Sequence, residues 1–153
     1  MTDLTDTYKK LQGKYTLPSF ADLDRSFDIS GIDISSNILR EIRKKIESRL
    51  DDIGGMLGSI IQPDANIRDL HEGRMFSERE KAKIFSLYRK FMIIRREVAL
   101  LSIDTDEKKE AVFIQGAFSE WSIAKEELLS IGTKLRDSWK KETSVREELG
   151  YLG

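Results

Sequence analysis

His71 is the one histidine in a 153-residue chain that contains no cysteine. Without cysteine there is no disulfide, no thiolate zinc site and no thiol nucleophile. A lone imidazole has no second histidine with which to share a metal, and its neighbour Glu72 points elsewhere on a helix. The spacing therefore predicts a surface or capping histidine, with no catalytic residue, metal site or cofactor attached to it. The remaining residues that could do chemistry are charged. Arg89, Lys90, Arg95 and Arg96 follow one another with no acid between Glu80 and Glu97, and Arg40, Arg43, Lys44, Lys45 and Arg49 form a second basic run. Arg43, Lys44, Arg89, Lys90, Arg95 and Arg96 are the candidates for gripping an anion or a nucleic-acid backbone. On a helical wheel Arg89 and Arg96 point away from the apolar side. Arg95 lies about 40° from its centre, where an arginine needs a carboxylate or a path to the edge. The aromatics in this run, Tyr88 and Phe91, fall on the apolar rows and are not set out to stack bases, and no helix-turn-helix, RNP or zinc-finger signature is present.

Asp22, Asp24, Asp28 and Asp33 concentrate the acids. Asp22-x-Asp24 followed by Asp28 loosely follows a calcium loop, but the third ligand, the glycine and the closing glutamate are missing at the required offsets. Caps and turn residues are the expected roles, with pairing to the basic run as an option. Gly54-Gly55 lies in an apolar stretch with no preceding strand and no Gly-Lys-Ser/Thr, so it is no phosphate loop. Carboxylates such as Glu41, opposite Lys45, read as salt-bridge partners, and none has the Glu-x-x-His spacing of a di-iron bundle.

The elements that must carry these side chains are written in the apolar periodicity. Ile42, Ile46, Leu50, Ile53, Leu57 and Ile60 recur every three or four residues, as do Ile84, Leu87, Phe91, Ile94, Val98 and Leu101. Ile114, Ala117, Trp121, Ala124, Leu128, Ile131 and Leu135 make a third series. Each set lines one side of an α-helix, and three such sides close a shared core. The expected fold is all-α: an up-down-up antiparallel bundle of three long helices over about 36–62, 77–103 and 106–142. A break near Gly116 would make it a four-helix bundle. Pro63 stops the first helix. Ser77 with Glu80 has capping-box spacing at the start of the second, and Asp104-Thr105-Asp106 is a tight turn into the third. Gly54, Gly55 and Gly58 inside the first helix each cost about 1 kcal/mol against alanine. That cost asks for close helix contact, a kink or a bound partner in return.

Residues 1–34 form an N-terminal arm, 35–143 the bundle and 144–153 a C-terminal turn and tail, all within one domain. Leu4, Tyr8 and Leu11 mark a short first helix, capped by Thr2 or Asp3, and Ser19 caps a second turn. The alternation over 27–35 predicts an extended strap, anchored by Phe20, Leu23, Phe27, Ile29 and Ile32.

Net charge is −1, which gives no overall pull toward nucleic acid or anionic membrane. No apolar run approaches the roughly 18–20 residues of a membrane span, and the first residues have no signal-peptide pattern. A cytoplasmic setting is expected. The leading functional expectation is a non-enzymatic protein–protein interaction or assembly module, as a homo-oligomer or with another protein. Phe85, Tyr88 and Met92, a second apolar row that makes their helix the most buried, are its contact candidates, with Trp139 near the end of the third helix. The alternative is a nucleic-acid or anion-binding module using the basic runs.

Overall fold

The computed structural model describes residues 3–35 and 37–149. Thr2 as a first cap, Ser36 as a helix start and the tail from Gly150 lie outside the described residues. Seven helices occur among the described residues: α1 Leu4–Lys14, α2 Phe20–Phe27, α3 Ile38–Ile61, α4 Ile67–Gly73, α5 Glu78–Ile103, α6 Glu107–Ser138 and α7 Val145–Leu149. The fold is all-α, with the three long helices α3, α5 and α6 packing against each other as a bundle. Contacts divide the chain into two compact units, Met1–Asp52 with Met92–Ser122, and Ile53–Phe91 with Ile123–Gly153. Each unit takes one part of every long helix. The first takes the start of α3, the end of α5 and the start of α6, which is the alternation an up-down-up chain requires.

In the first unit, Ile42, Ile46 and Leu50 of α3, Ile94, Val98 and Leu101 of α5, and Ile114 and Ala117 of α6 are all buried. The arm adds Tyr8, Leu23, Phe27, Ile29 and Ile32 to this core. Asp3 caps α1 by accepting the Asp6 amide at 2.8 Å. One and a half turns on, the Tyr8 hydroxyl donates to the Pro18 carbonyl at 2.5 Å, and burial pushes its phenol pKa up. Its ring meets Phe20 edge-on at 5.7 Å. Ser19 caps α2 through the Asp22 amide, and α2 stops at Asp28, which adopts the left-handed conformation (φ 55°) that aspartate tolerates better than most residues.

The strap expected over 27–35 is a loop from residue 28 onward, Phe27 being the last residue of α2. Asp24 accepts the Ser30 amide and Asp33 the Ser35 amide, each within 2.9 Å, so side chains take backbone donors that a strand would pair. These bonds also explain the acidic cluster: Asp24, Asp28 and Asp33 are turn and cap residues, while Asp22 pairs with Arg25 of its own helix. The Ser35 amide and hydroxyl hold the Asp33 carboxyl below its usual range.

In the second unit, Leu57 and Ile60, Ile84, Leu87 and Phe91, and Leu128, Ile131 and Leu135 form the core with Phe76. The capping box forms as read: Glu80 N–H donates to Ser77 Oγ and Ser77 N–H to Glu80 Oε1, both at 3.1 Å. Lys134 Nζ lies 2.7 Å from the other Glu80 oxygen and 4.9 Å above the Phe76 ring. This lysine first, and the Ser77 amide second, hold the Glu80 carboxyl down at about 2.

Several expectations change. α3 runs unbroken through its glycines, and only Gly58 sits under a neighbour, 3.5 Å from Tyr88 at the place a Cβ would occupy. Gly54 and Gly55 face open space. α6 also runs unbroken through Gly116, so the expected three long helices form and the four-helix alternative falls. α6 ends at Ser138, short of 142, where the Trp139 and Lys140 amides turn back to the Arg136 and Asp137 carbonyls. α5 is not buried all round: Phe85 is 47% exposed, and Tyr88 and Met92 are half-buried.

The glycine under most constraint is Gly73, at the end of α4. A Cβ there would lie 2.7 Å from Pro63 Cγ, part of a rigid ring. Gly73→Ala is expected to destabilise the fold by about 1–3 kcal/mol through overpacking. Thermal unfolding checks this, and an unchanged midpoint would show that the Pro63 loop yields freely.

Candidate functional site

His71 is not at the surface. It is 1% exposed, and three chain-distant groups converge on it. Asn66 starts α4 by accepting the Asp69 amide at 2.8 Å, and one turn later His71 points inward. Its Nδ1 lies 2.5 Å from Glu148 Oε1 on α7, and its Nε2 lies 3.1 Å from the Ser138 carbonyl and 3.2 Å from Ser138 Oγ. Trp139 stacks on the ring at 4.0 Å and donates from Nε1 to Glu72 at 2.9 Å. Arg74 bonds the second Glu148 oxygen, and Thr143 Oγ1 donates to the first at 2.6 Å. Thr143 first, then His71 and Arg74, hold the Glu148 carboxyl below its usual range against the opposing effect of burial.

Serine, histidine and glutamate in hydrogen-bond sequence invite comparison with a nucleophilic triad, which needs the imidazole to accept the serine proton. Here the Ser138 hydroxyl donates to the Leu135 carbonyl at 2.7 Å. His71 Nε2 faces the Ser138 carbonyl, which can only accept, so Nε2 is placed as a donor. The trio works as a lock. It occupies the carbonyl at the end of α6 and ties α7 to α4. A five-residue helix has too few internal bonds to hold itself in water.

The second constellation lies in the first unit, where α5 turns into α6. Asp106 caps α6 by accepting the Lys109 amide at 2.8 Å. The three-residue turn sets the end of α5 beside the start of α6. Between them opens an apolar groove of about 850 Å³, lined by Leu100, Leu101, Ile103, Val112, Phe113 and Gly116. Leu100, Ile103 and Val112 are 65%, 83% and 58% exposed. Glu97, Asp104, Asp106, Lys108 and Lys109 rim it, and Lys109 pairs with Asp104 at 2.9 Å.

Three of the six basic candidates are held in ion pairs. Arg43 is buried, with Nε 3.0 and 2.8 Å from the two Glu110 oxygens, so it is a core ion pair and not a surface cation. It falls beside Ile42 on the buried side of α3. Lys44 pairs with Glu41 at 3.2 Å, and Arg95 with Asp51 at 2.9 Å. Arg89, Lys90 and Arg96 are exposed; Arg89 and Lys90 belong to the second unit and Arg96 to the first. Among the described residues no group of acids and histidine could hold a metal ion.

The exposed groove residues Leu100, Ile103 and Val112 stand off the apolar spines, so the core periodicity does not mark them. Their signal was present: Ile93, Leu100 and Ile103 recur at spacings of seven and three on α5, away from the core, and Val112 follows just beyond the turn. Glu148 and Ser138 left no such signal, since they reach His71 across 77 and 67 residues.

Fold and site together define an all-α bundle of three long helices with an open apolar groove beside one helix turn. The chain matches no protein-family model, no curated protein and no solved structure. No helix among the described residues is long and apolar enough to cross a membrane.

Proposed function

We propose that this chain is a non-enzymatic assembly module of the cytoplasm, which buries the α5–α6 groove against a protein surface. The observation that carries the reading is the exposure of Leu100, Ile103 and Val112 around one groove. Scattered exposed apolar residues are ordinary, but several around a single concavity mark a contact site. The groove is open along two adjacent helices, a shape that seats a further helix as a bundle does. Its apolar floor favours association, and its charged rim sets orientation. Phe85 and Trp139, both partly exposed, are secondary contact candidates in the second unit.

The test is photocrosslinking in the native cell. A photoreactive amino acid is placed at Val112 or Leu100 and, as a control, at the exposed Arg40. Protein adducts, of whatever mass, are expected from the groove positions and not from Arg40. Equal yields at all three positions, or no adduct from the groove, would sink the reading.

A further inference from the structure

We infer that the occupant of the α5–α6 groove is a second copy of this chain, seated about a two-fold axis; this rests on the assembly reading above. Three observations bear on the occupant, and the first of them favours a copy over an unrelated partner. The first is the rim. A groove that selects an acidic or a basic segment needs a rim of one sign, whereas this rim carries Glu97, Asp104 and Asp106 together with Lys108 and Lys109. Glu97 stands on α5 and both lysines on α6. A two-fold axis makes every contact reciprocal, so if the α5 edge of one copy meets the α6 edge of the other, acid faces base twice. Glu97 and Lys108 make no ion pair with other described residues, so both remain for this exchange.

The second observation is Gly116. It lies on the groove wall one turn beyond Val112, and a Cβ there would have no neighbour within 4 Å. Gly54, Gly55 and Gly132 are equally open, but Gly116 is the one of these that lines the groove. A helix pressed against the wall would explain a glycine there, because a missing Cβ lets two backbones approach. The third is net charge. At −1, two copies meet almost without mutual repulsion. The resulting contact sets two α5–α6 hairpins face to face. Leu100, Ile103 and Val112 of each fill the apolar floor of the other, in the manner of a four-helix bundle.

Solution mass by light scattering, from nanomolar to high micromolar protein, is the experiment. The native chain should reach twice the monomer mass. Val112→Glu and Gly116→Leu should both remain monomeric at every concentration. Both positions are open, so helical content and melting temperature serve as proof of folding. Lys108→Glu should weaken the dimer by about tenfold or more, and adding Glu97→Lys should restore it. A dimer indifferent to Val112→Glu and Gly116→Leu would overturn the proposal. So would a native chain that stays monomeric throughout. If that monomer still gave groove-specific adducts in the cell, the second copy alone would be wrong and the assembly reading would stand. If those adducts also failed, both would fall.

Discussion

Glu110→Ala is expected to lower the unfolding free energy by about 3–5 kcal/mol, because it strands the Arg43 guanidinium in the core without its counter-charge. Both side chains are almost fully withdrawn from water, and both carboxylate oxygens lie within 3.0 Å of Arg43 Nε. Glu110 sits in the first turn of α6, where a negative charge also meets the unpaired amides of the helix start. Thr105 Oγ1 adds a third bond at 3.1 Å, so this one carboxylate ties α3, the α5–α6 turn and α6 together. Removing both charges has a different expected result. Arg43→Met with Glu110→Leu replaces the pair with apolar volume and should be near neutral, or stabilising by about 1–4 kcal/mol. Denaturant unfolding of the two single variants and a double variant gives the coupling directly. A cost under about 1 kcal/mol for Glu110→Ala would mean that the pair behaves as a solvated surface bridge.

The same pair shows what the chain discloses locally and what it does not. The three apolar spines were legible because helical burial repeats every three to four residues. Nearly every spine residue is buried, Ile53 and Trp121 being only half-covered. The caps were legible for a related reason: Ser19, Ser77 and Asp106 each bond an amide three residues on. Arg43 was not, although it stands next to Ile42. An arginine at the edge of an apolar stripe either reaches water or finds a carboxylate, and Glu110 lies 67 residues away. His71 fails in the same way. The groove is a third kind of case, with its exposed residues Leu100, Ile103 and Val112 visible as off-spine apolar positions. What periodicity withholds is that a three-residue turn sets the end of one such row beside the start of the next. Function was less legible than fold because the fold needs only repeats within a helix, while each candidate site needs pairings between helices.

Acidification should release α7 from α4 well before it disturbs the core. Glu148 is the joint: His71 Nδ1, Arg74 and Thr143 Oγ1 all address its two oxygens, and Ser138, Trp139 and Glu72 hold His71 in place. The Glu148 carboxyl is held below its usual range, so the folded form favours the carboxylate. Its contribution is complete above the unfolded value of about 4.3 and is lost as pH falls through the lower folded value. Hydrogen exchange of residues 145–149, corrected for intrinsic rates, should therefore show protection at neutral pH that drains away below about 4. Core amides near Leu87 and Leu128 should keep theirs further down. Glu148→Gln should flatten that dependence, since it keeps the side chain's shape and removes the titration. His71→Ala should lower the opening free energy of α7 by about 1–3 kcal/mol at neutral pH by leaving a buried acceptor short of its donor. Trp139, stacked on His71, supplies an optical reading of the same event in a Trp121→Phe background. If α7 and the core lost protection together, the lock would be part of the cooperative fold. If α7 were unprotected even at neutral pH, the lock would not hold in solution. Separate losses, with α7 first, are the result that the five-residue length of α7 and its reliance on one carboxylate lead us to expect.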